Sequence, residues 1–319
     1  MKTSIFISRM IPEAGIEILK KAGFSLEINP EDRVLTREEL LNGCRGKDGL
    51  LCLLTDTIDR EFIDQMDRLK GIATMAVGYN NIDVAAAAVK GIPVTNTPGV
   101  LTNATADLAW ALLMATTRRL PEADRYLRAG EFKSWGPMLF LGGDLHGRTL
   151  GIIGAGRIGT AVALRARGFG MKIIYADPRE NRILEKELNG KRVELNTLLK
   201  EADYITLHLL LTEETRRLIG RPEFKLMKNT AYLINTSRGP VVDEEALVEA
   251  LQSGSIGGAG LDVFEKEPHI HPDLLPLSNV VLLPHIGSAT VETRTRMAVM
   301  AAKNLVAMMK GERPENQIN

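Results

Sequence analysis

Between residues 3 and 98 the chain alternates short apolar runs with stretches whose apolar residues recur at helical spacing. The runs at 4–7, 25–28, 49–54, 72–77 and 93–95 predict strands. The intervening stretches at 13–22, 37–41, 60–66 and 84–90 predict helices. Strict strand–helix alternation of this kind gives a parallel sheet covered on both faces. Pro98-Gly99 interrupts the pattern, and a long helical stretch from Leu101 to about Tyr126 is expected after it.

A second alternation starts at Thr149. Strands are predicted at 150–153, 171–176, 204–207, 231–234, 257–261 and 280–283, with helical patterns at 158–169 and 244–251. Asp243 is the N-cap candidate for the latter, and Glu244 and Glu245 stand in its first turn, where negative charge suits the helix dipole. The tail, 291–310, carries Met297, Ala301, Leu305 and Met308 on one helical face and is expected to return to the first domain. The fold expected is α/β with two doubly wound parallel-sheet domains, residues 1–98 plus 289–319 forming one and residues 99–288 the other.

The turn between the first two strands of the second alternation carries specific chemistry. Gly154-Ala155-Gly156-Arg157-Ile158-Gly159 follows a buried strand and opens a helix, and Asp177 ends the next strand. In a dinucleotide site the first glycine permits the tight turn, the second lets the backbone approach a pyrophosphate, and the third lets helix and strand pack closely. The free N–H groups of the helix start then face the phosphates. An acid at Asp177 accepts bonds from ribose hydroxyls and repels a 2′-phosphate, which favours NAD(H). Arg179, two residues on, makes NADP(H) the alternative.

Ligands of an open parallel sheet bind beyond the carboxyl ends of the strands. The residues there are Asp177-Pro178-Arg179, His208, Asn235-Thr236-Ser237-Arg238-Gly239, Asp262 and Pro284-His285-Ile286-Gly287. An arginine and a histidine on the same edge as a nucleotide site suit hydride transfer to a ketone flanked by a carboxylate. The guanidinium binds the carboxylate in a fork and polarises the ketone, the imidazole protonates the oxygen, and a nearby carboxylate orients the imidazole. Glu265 and Glu267 both offer that carboxylate, and spacing alone does not choose between them.

Length and composition fit this picture. The 319 residues suit two domains, and 40 basic residues balance 40 acidic ones, so no net field draws nucleic acid or a membrane surface. Two cysteines, Cys44 and Cys52, make neither a disulfide framework nor a zinc site, and no metal is expected. The apolar Ile5-Phe6-Ile7 is too short for a signal-peptide core and no run reaches membrane-spanning length, so a cytoplasmic protein is expected.

Val77-Gly78, the glycine turn, Asn235 to Gly239, Gly260-Leu261-Asp262-Val263-Phe264-Glu265-Lys266-Glu267-Pro268 and Pro284 to Ser288 together resemble the D-isomer-specific 2-hydroxyacid dehydrogenases. The resemblance spans nearly the whole chain. It implies a Rossmann NAD(P)-binding domain and a flavodoxin-like substrate domain facing each other across a cleft. It implies an Arg–Glu–His set whose Glu stands five residues after the Asp of the GLDVFE segment, which assigns Arg238 to the substrate, His285 to acid/base work and Glu267 to its partner, with Glu265 a solvated neighbour. Val77 and Gly78 would offer backbone N–H groups to the substrate carboxylate. Thr105, Thr236, Ser237, Asp262 and Gly287 would lie toward the nicotinamide.

One departure concerns His208, on the adenine side. The family often has His-x-Pro-Leu-Thr here, and this chain reads His208-Leu209-Leu210-Leu211-Thr212. Among members, the run 74–78 and Ser134-Trp135-Gly136-Pro137-Met138 look like glyoxylate/hydroxypyruvate reductases, in which Trp135 would cap the pocket of a partner subunit in a homodimer. A 2-ketogluconate reductase, a phosphoglycerate dehydrogenase and a non-enzymatic NAD-sensing interaction protein are the alternatives. Glu267 speaks against a formate-dehydrogenase-like member, where Gln is usual.

Overall fold

Short apolar runs separated by helices form two all-parallel sheets in the computed structural model, which describes residues 2–319. The chain divides into two compact units, one running up to Leu101 and resuming at Ser288–Asn319, the other being Thr102–Gly287. The first crossing falls after Leu101 rather than after residue 98, because Val100 and Leu101 still pack on the apolar core of the first unit. The return falls before Ser288, because Gly287 bonds to Asp262 and Thr105 of the second unit.

In the first unit β1 (Ser4–Ile7), β2 (Ser25–Ile28), β3 (Gly49–Cys52), β4 (Ile72–Thr74) and β5 (Val94–Thr95) pair in the order β2-β1-β3-β4-β5. Helices α1 (Glu13–Lys21), α2 (Arg37–Cys44), α3 (Arg60–Asp64) and α4 (Val84–Val89) connect them. Alternate strand residues go to opposite faces. Phe6, Leu50, Cys52 and Ile72 enter one core, and Ile5, Ile7, Leu51 and Ala73 enter the other. The C-terminal helix, Val291–Met309, lays Met297, Ala301, Leu305 and Met308 on that second face. The expected strands at 49–54 and 72–77 stop earlier, at Cys52 and Thr74, and their last residues form loops at the carboxyl edge.

In the second unit α5 (Thr102–Thr117) and α6 (Leu120–Arg128) come first. The single long helix expected here is broken, because Arg119 takes a left-handed φ of 54° and Pro121 starts a new first turn. The strands are β6 (Thr149–Ile153), β7 (Lys172–Ala176), β8 (Lys191–Arg192), β9 (Tyr204–Leu207), β10 (Tyr232–Asn235), β11 (Gly258–Leu261) and β12 (Val280–Leu282), ordered β12-β11-β10-β9-β6-β7-β8. Helices α7 (Arg157–Ala166), α8 (Arg182–Leu188), α9 (Leu195–Glu201), α10 (Arg221–Phe224) and α11 (Glu244–Gln252) alternate with them. The order reverses between β6 and β9, the switch point at which sheets of this type open a crevice.

The segment between α6 and β6 has neither helix nor strand, and it exposes Phe132, Trp135 (80%), Met138 (77%) and Leu141. Among the described residues no helix is long and apolar enough to cross a membrane.

Candidate functional site

The glycine turn lies at the switch point. Gly154 has φ +91°, and a Cβ there would stand 2.6 Å from the carbonyl oxygen of His208, so only glycine lets β6 and the end of β9 approach this closely. At Gly159 a Cβ would stand 2.1 Å from the Gly154 oxygen. Gly156 differs, since a Cβ there meets nothing within 4 Å. Its openness faces outward at the N-terminus of α7, where no side chain caps the first turn formed by Arg157, Ile158 and Gly159. Uncapped N–H groups beside open space make a place for an anion.

Asp177 is tied to this turn. One carboxylate oxygen accepts from Ala155 N at 2.9 Å and the other from Arg179 N at 2.8 Å. Each oxygen keeps acceptor capacity, because a carboxylate offers about four lone-pair sites. Arg192 donates to the carbonyls of Asp177 and Pro178, while Arg179 is exposed. Asn181, which had no role in the sequence reading, donates from Nδ2 to Ala155 O (2.8 Å) and Thr160 Oγ1 (2.7 Å) while its Oδ1 caps α8. Its signal was an N-cap residue ahead of a helical run.

At the end of β10 the buried Asn235 folds the chain back on itself, accepting from Ser237 N and Oγ and donating to Arg238 O at 3.0 Å. The Arg238 guanidinium donates to Ser237 O at 2.8 Å. Burial disfavours its charged form and the Glu267 carboxylate supports it, with a net shift below the ordinary arginine value. Gly239 is a requirement of packing, since a Cβ there would lie 1.9 Å from the Phe264 carbonyl carbon. That contact presses the loop after β11 against the Arg238 turn.

His285 follows β12 with φ +54°, a left-handed conformation that histidine tolerates better than most residues. Asp262 secures it from both sides. His285 N donates to the Asp262 carbonyl (2.9 Å), and the Asp262 carboxylate accepts from Ile286 N and Gly287 N at 2.7 Å each. Burial raises the Asp262 pKa, and those two N–H groups and His285 only partly offset it. Glu267 Oε2 stands 2.8 Å from His285 Nδ1, and its Oε1 accepts from Phe264 N at 3.0 Å. Burial pushes the Glu267 pKa up, but the histidine, Phe264 N–H and Arg238 outweigh it and hold it below the usual range.

Glu265 corrects an expectation. It is not a solvated neighbour, because it pairs with Arg217 at 2.7 Å with its side chain only 18% exposed. Of the other expected residues, Thr105 donates to Gly287 O (3.1 Å). Thr236 Oγ1 and His208 Nδ1 are buried without a partner among the described residues, while His208 Nε2 meets Thr206 Oγ1 at 2.9 Å. Trp135 extends into solvent.

In the first unit, Val77 and Gly78 follow β4, and Asn96 Nδ2 donates to Val77 O at 2.8 Å. Because the peptide is planar and trans, holding that carbonyl aims the Gly78 N–H the opposite way. Asn96 was not singled out in the sequence. Among the described residues no cluster of three or more His, Cys, Asp or Glu side chains could hold a metal ion.

Residues 110–287 match the family model described as D-isomer specific 2-hydroxyacid dehydrogenase, NAD binding domain. All of this chain aligns with 97% of a glyoxylate reductase from Thermococcus litoralis at 53% identity. The crystal structure of a protein from Thermus thermophilus is similar at a TM-score of 0.94 and 45% identity, covering 99% of this chain and 100% of that one. The NADPH-dependent glyoxylate/hydroxypyruvate reductase of Sinorhizobium meliloti, solved with NADP and malonate, is similar at a TM-score of 0.87 and 33% identity, covering 100% of this chain and 97% of that one.

Proposed function

The chain belongs to the D-isomer-specific 2-hydroxyacid dehydrogenase family, and from that premise we propose that it reduces glyoxylate or hydroxypyruvate to the 2-hydroxy acid. The observation that carries this reading is the Glu267–His285 pair at 2.8 Å on the unit that also bears Arg238 and the glycine turn. A nicotinamide dinucleotide fits the residues present. Gly156 leaves space that the other two glycines of the turn lack, the start of α7 is uncapped, and Thr236 and His208 keep unpartnered buried polar atoms.

Gly154 to Gly159 would hold the pyrophosphate and Asp177 the adenine ribose, which supports NADH over NADPH. When bound, the reduced nicotinamide supplies hydride to the ketone carbon. Arg238 pairs with the substrate carboxylate and draws charge toward the ketone oxygen. His285 Nδ1 is engaged by Glu267, so Nε2 is the nitrogen that passes a proton to that oxygen. Glu267, by holding Nδ1, fixes which nitrogen faces the substrate.

The exposed apolar side chains Phe132, Trp135, Met138 and Leu141 support a homodimer formed through that segment, with Trp135 reaching the partner's pocket. Two buried free thiols support a cytoplasmic location, and the balanced charge supports small molecules rather than nucleic acid as ligands.

Oxidation of NADH and NADPH is to be followed with glyoxylate, hydroxypyruvate, pyruvate, 2-ketogluconate and phosphohydroxypyruvate. The highest kcat/KM is expected with glyoxylate or hydroxypyruvate and NADH. No turnover with any 2-keto acid would favour the NAD-sensing alternative.

A further inference from the structure

The buried carboxylate of Glu244 is not used by the reaction as described, yet it touches both ends of the segment that carries Glu267. Glu244 opens α11, but capping does not require it, because Asp243 already accepts from Ala246 N at 3.1 Å. A first-turn glutamate ordinarily faces water near the helix dipole. This one is 9% exposed. One oxygen accepts from Glu265 N and the other from His271 N, each at 2.8 Å.

Residues 265–271 contain no helix or strand, only a turn closed by His269 N donating to Lys266 O at 2.8 Å. The segment is further tied by the Arg217–Glu265 ion pair, the Phe264 N–H on Glu267, the His271–Glu245 contact and the close approach of Phe264 to Gly239, but Glu244 alone reaches both of its ends. Glu265 also reciprocates, accepting from Glu244 N at 3.4 Å.

We propose that Glu244 is a positioning residue for the reduction, clamping both ends of the 265–271 segment so that the Glu267 carboxylate meets His285 Nδ1. The proposal rests on the reading of Glu267 and His285 as the acid pair. A carboxylate is required, since each of its oxygens accepts one N–H. A carboxamide in its place would turn an NH₂ group toward one of those donors. The segment would loosen there, and small misplacement of a reacting group is expensive in rate.

The test compares Glu244→Gln, Glu267→Gln and the double variant in NADH-dependent glyoxylate reduction, with kcat and KM read separately and NADH affinity from fluorescence titration as the folding control. Glu244→Gln is expected to bind NADH normally and to lose roughly 10- to 100-fold in kcat with little change in KM. The double variant is expected to lose no more than Glu267→Gln alone, because Glu244 acts through Glu267.

Additive losses, or a kcat that stays near normal in Glu244→Gln, would overturn the clamp. If Glu244→Gln does not fold, Glu244→Asp keeps the charge on a shorter arm and is read in the same way. If Glu267→Gln itself reduces glyoxylate normally, the acid-pair reading falls and takes the clamp with it. Failure of the clamp alone leaves Glu267→Gln impaired.

Discussion

Glu267 and His285 stand on different loops, yet their side chains meet at 2.8 Å with each held from behind by backbone. Phe264 N fixes one oxygen of Glu267, and Asp262 braces the left-handed turn on which His285 stands. A strained residue persists where its surroundings over-determine it. The Glu267 pKa is depressed in the fold, so its contribution to stability is present above the unfolded glutamate value and is lost as pH falls through the lower folded value.

The openness around Gly156 predicts a clean separation of folding from binding. Its backbone, at φ −74° and ψ −159°, suits any residue, so Gly156→Ala should fold with unchanged thermal stability. The added methyl occupies the space offered to the pyrophosphate. The NADH Kd should therefore rise at least about tenfold, a loss of about 1.4 kcal/mol. Calorimetric titration and a melting curve on the same sample check both halves, and normal affinity would move the phosphates elsewhere.

Asp177 both anchors Ala155 N and faces the proposed ribose site, so its complete removal disturbs the turn as well as the selectivity. Asp177→Asn deletes the charge and keeps an acceptor for Ala155 N, losing only the bond to Arg179 N. The ratio of kcat/KM for NADH to that for NADPH should fall, mostly through loss of NADH use. Equal losses with both cofactors would contradict the ribose assignment.

His208 is half-buried with its Nδ1 fully enclosed, and loss of solvation there lowers its pKa from 6.5 to about 3. Because the folded value is depressed, the unfolded chain takes up the proton first as pH falls. Stability is therefore lost between about pH 6.5 and about 3, by up to about 1.4 kcal/mol for each pH unit. Urea unfolding of the protein and of His208→Gln should show a stability difference that narrows from pH 7 to pH 4.5. A constant difference would mean that the imidazole is charged in the fold.

Much of the fold was legible because buried parallel strands are short uninterrupted apolar runs. The strands at 4–7 and 204–207 start and stop at the expected residues, while β2 at 25–28, interrupted by Glu27 and half-exposed, shows the pattern more faintly. The two-residue strand β8, Lys191–Arg192, is exposed and polar, so it leaves no such trace. The break at Arg119 is masked by helical spacing that continues through it, and its one trace in the sequence is Pro121, which suits a first turn better than a helix interior.

The chemistry was legible as residue types at strand ends, while its internal wiring was not. Spacing left Glu265 and Glu267 equivalent, and their difference arises from tertiary neighbours: Arg217 for one and His285 for the other. Asn96, Asn181 and Glu244 act on backbone groups distant in sequence. A polar side chain that serves another segment's backbone carries no local pattern.

The central claim is that Arg238 and His285 act on the substrate rather than on the fold. Its most direct test is steady-state reduction of glyoxylate at saturating NADH by the protein, by Arg238→Ala and by His285→Ala, with NADH affinity measured for each. His285→Ala should lose roughly 10²–10⁴-fold in kcat, Arg238→Ala should lose kcat/KM for glyoxylate at least as severely, and both should still bind NADH. Near-normal turnover by either variant at saturating substrate would contradict the account.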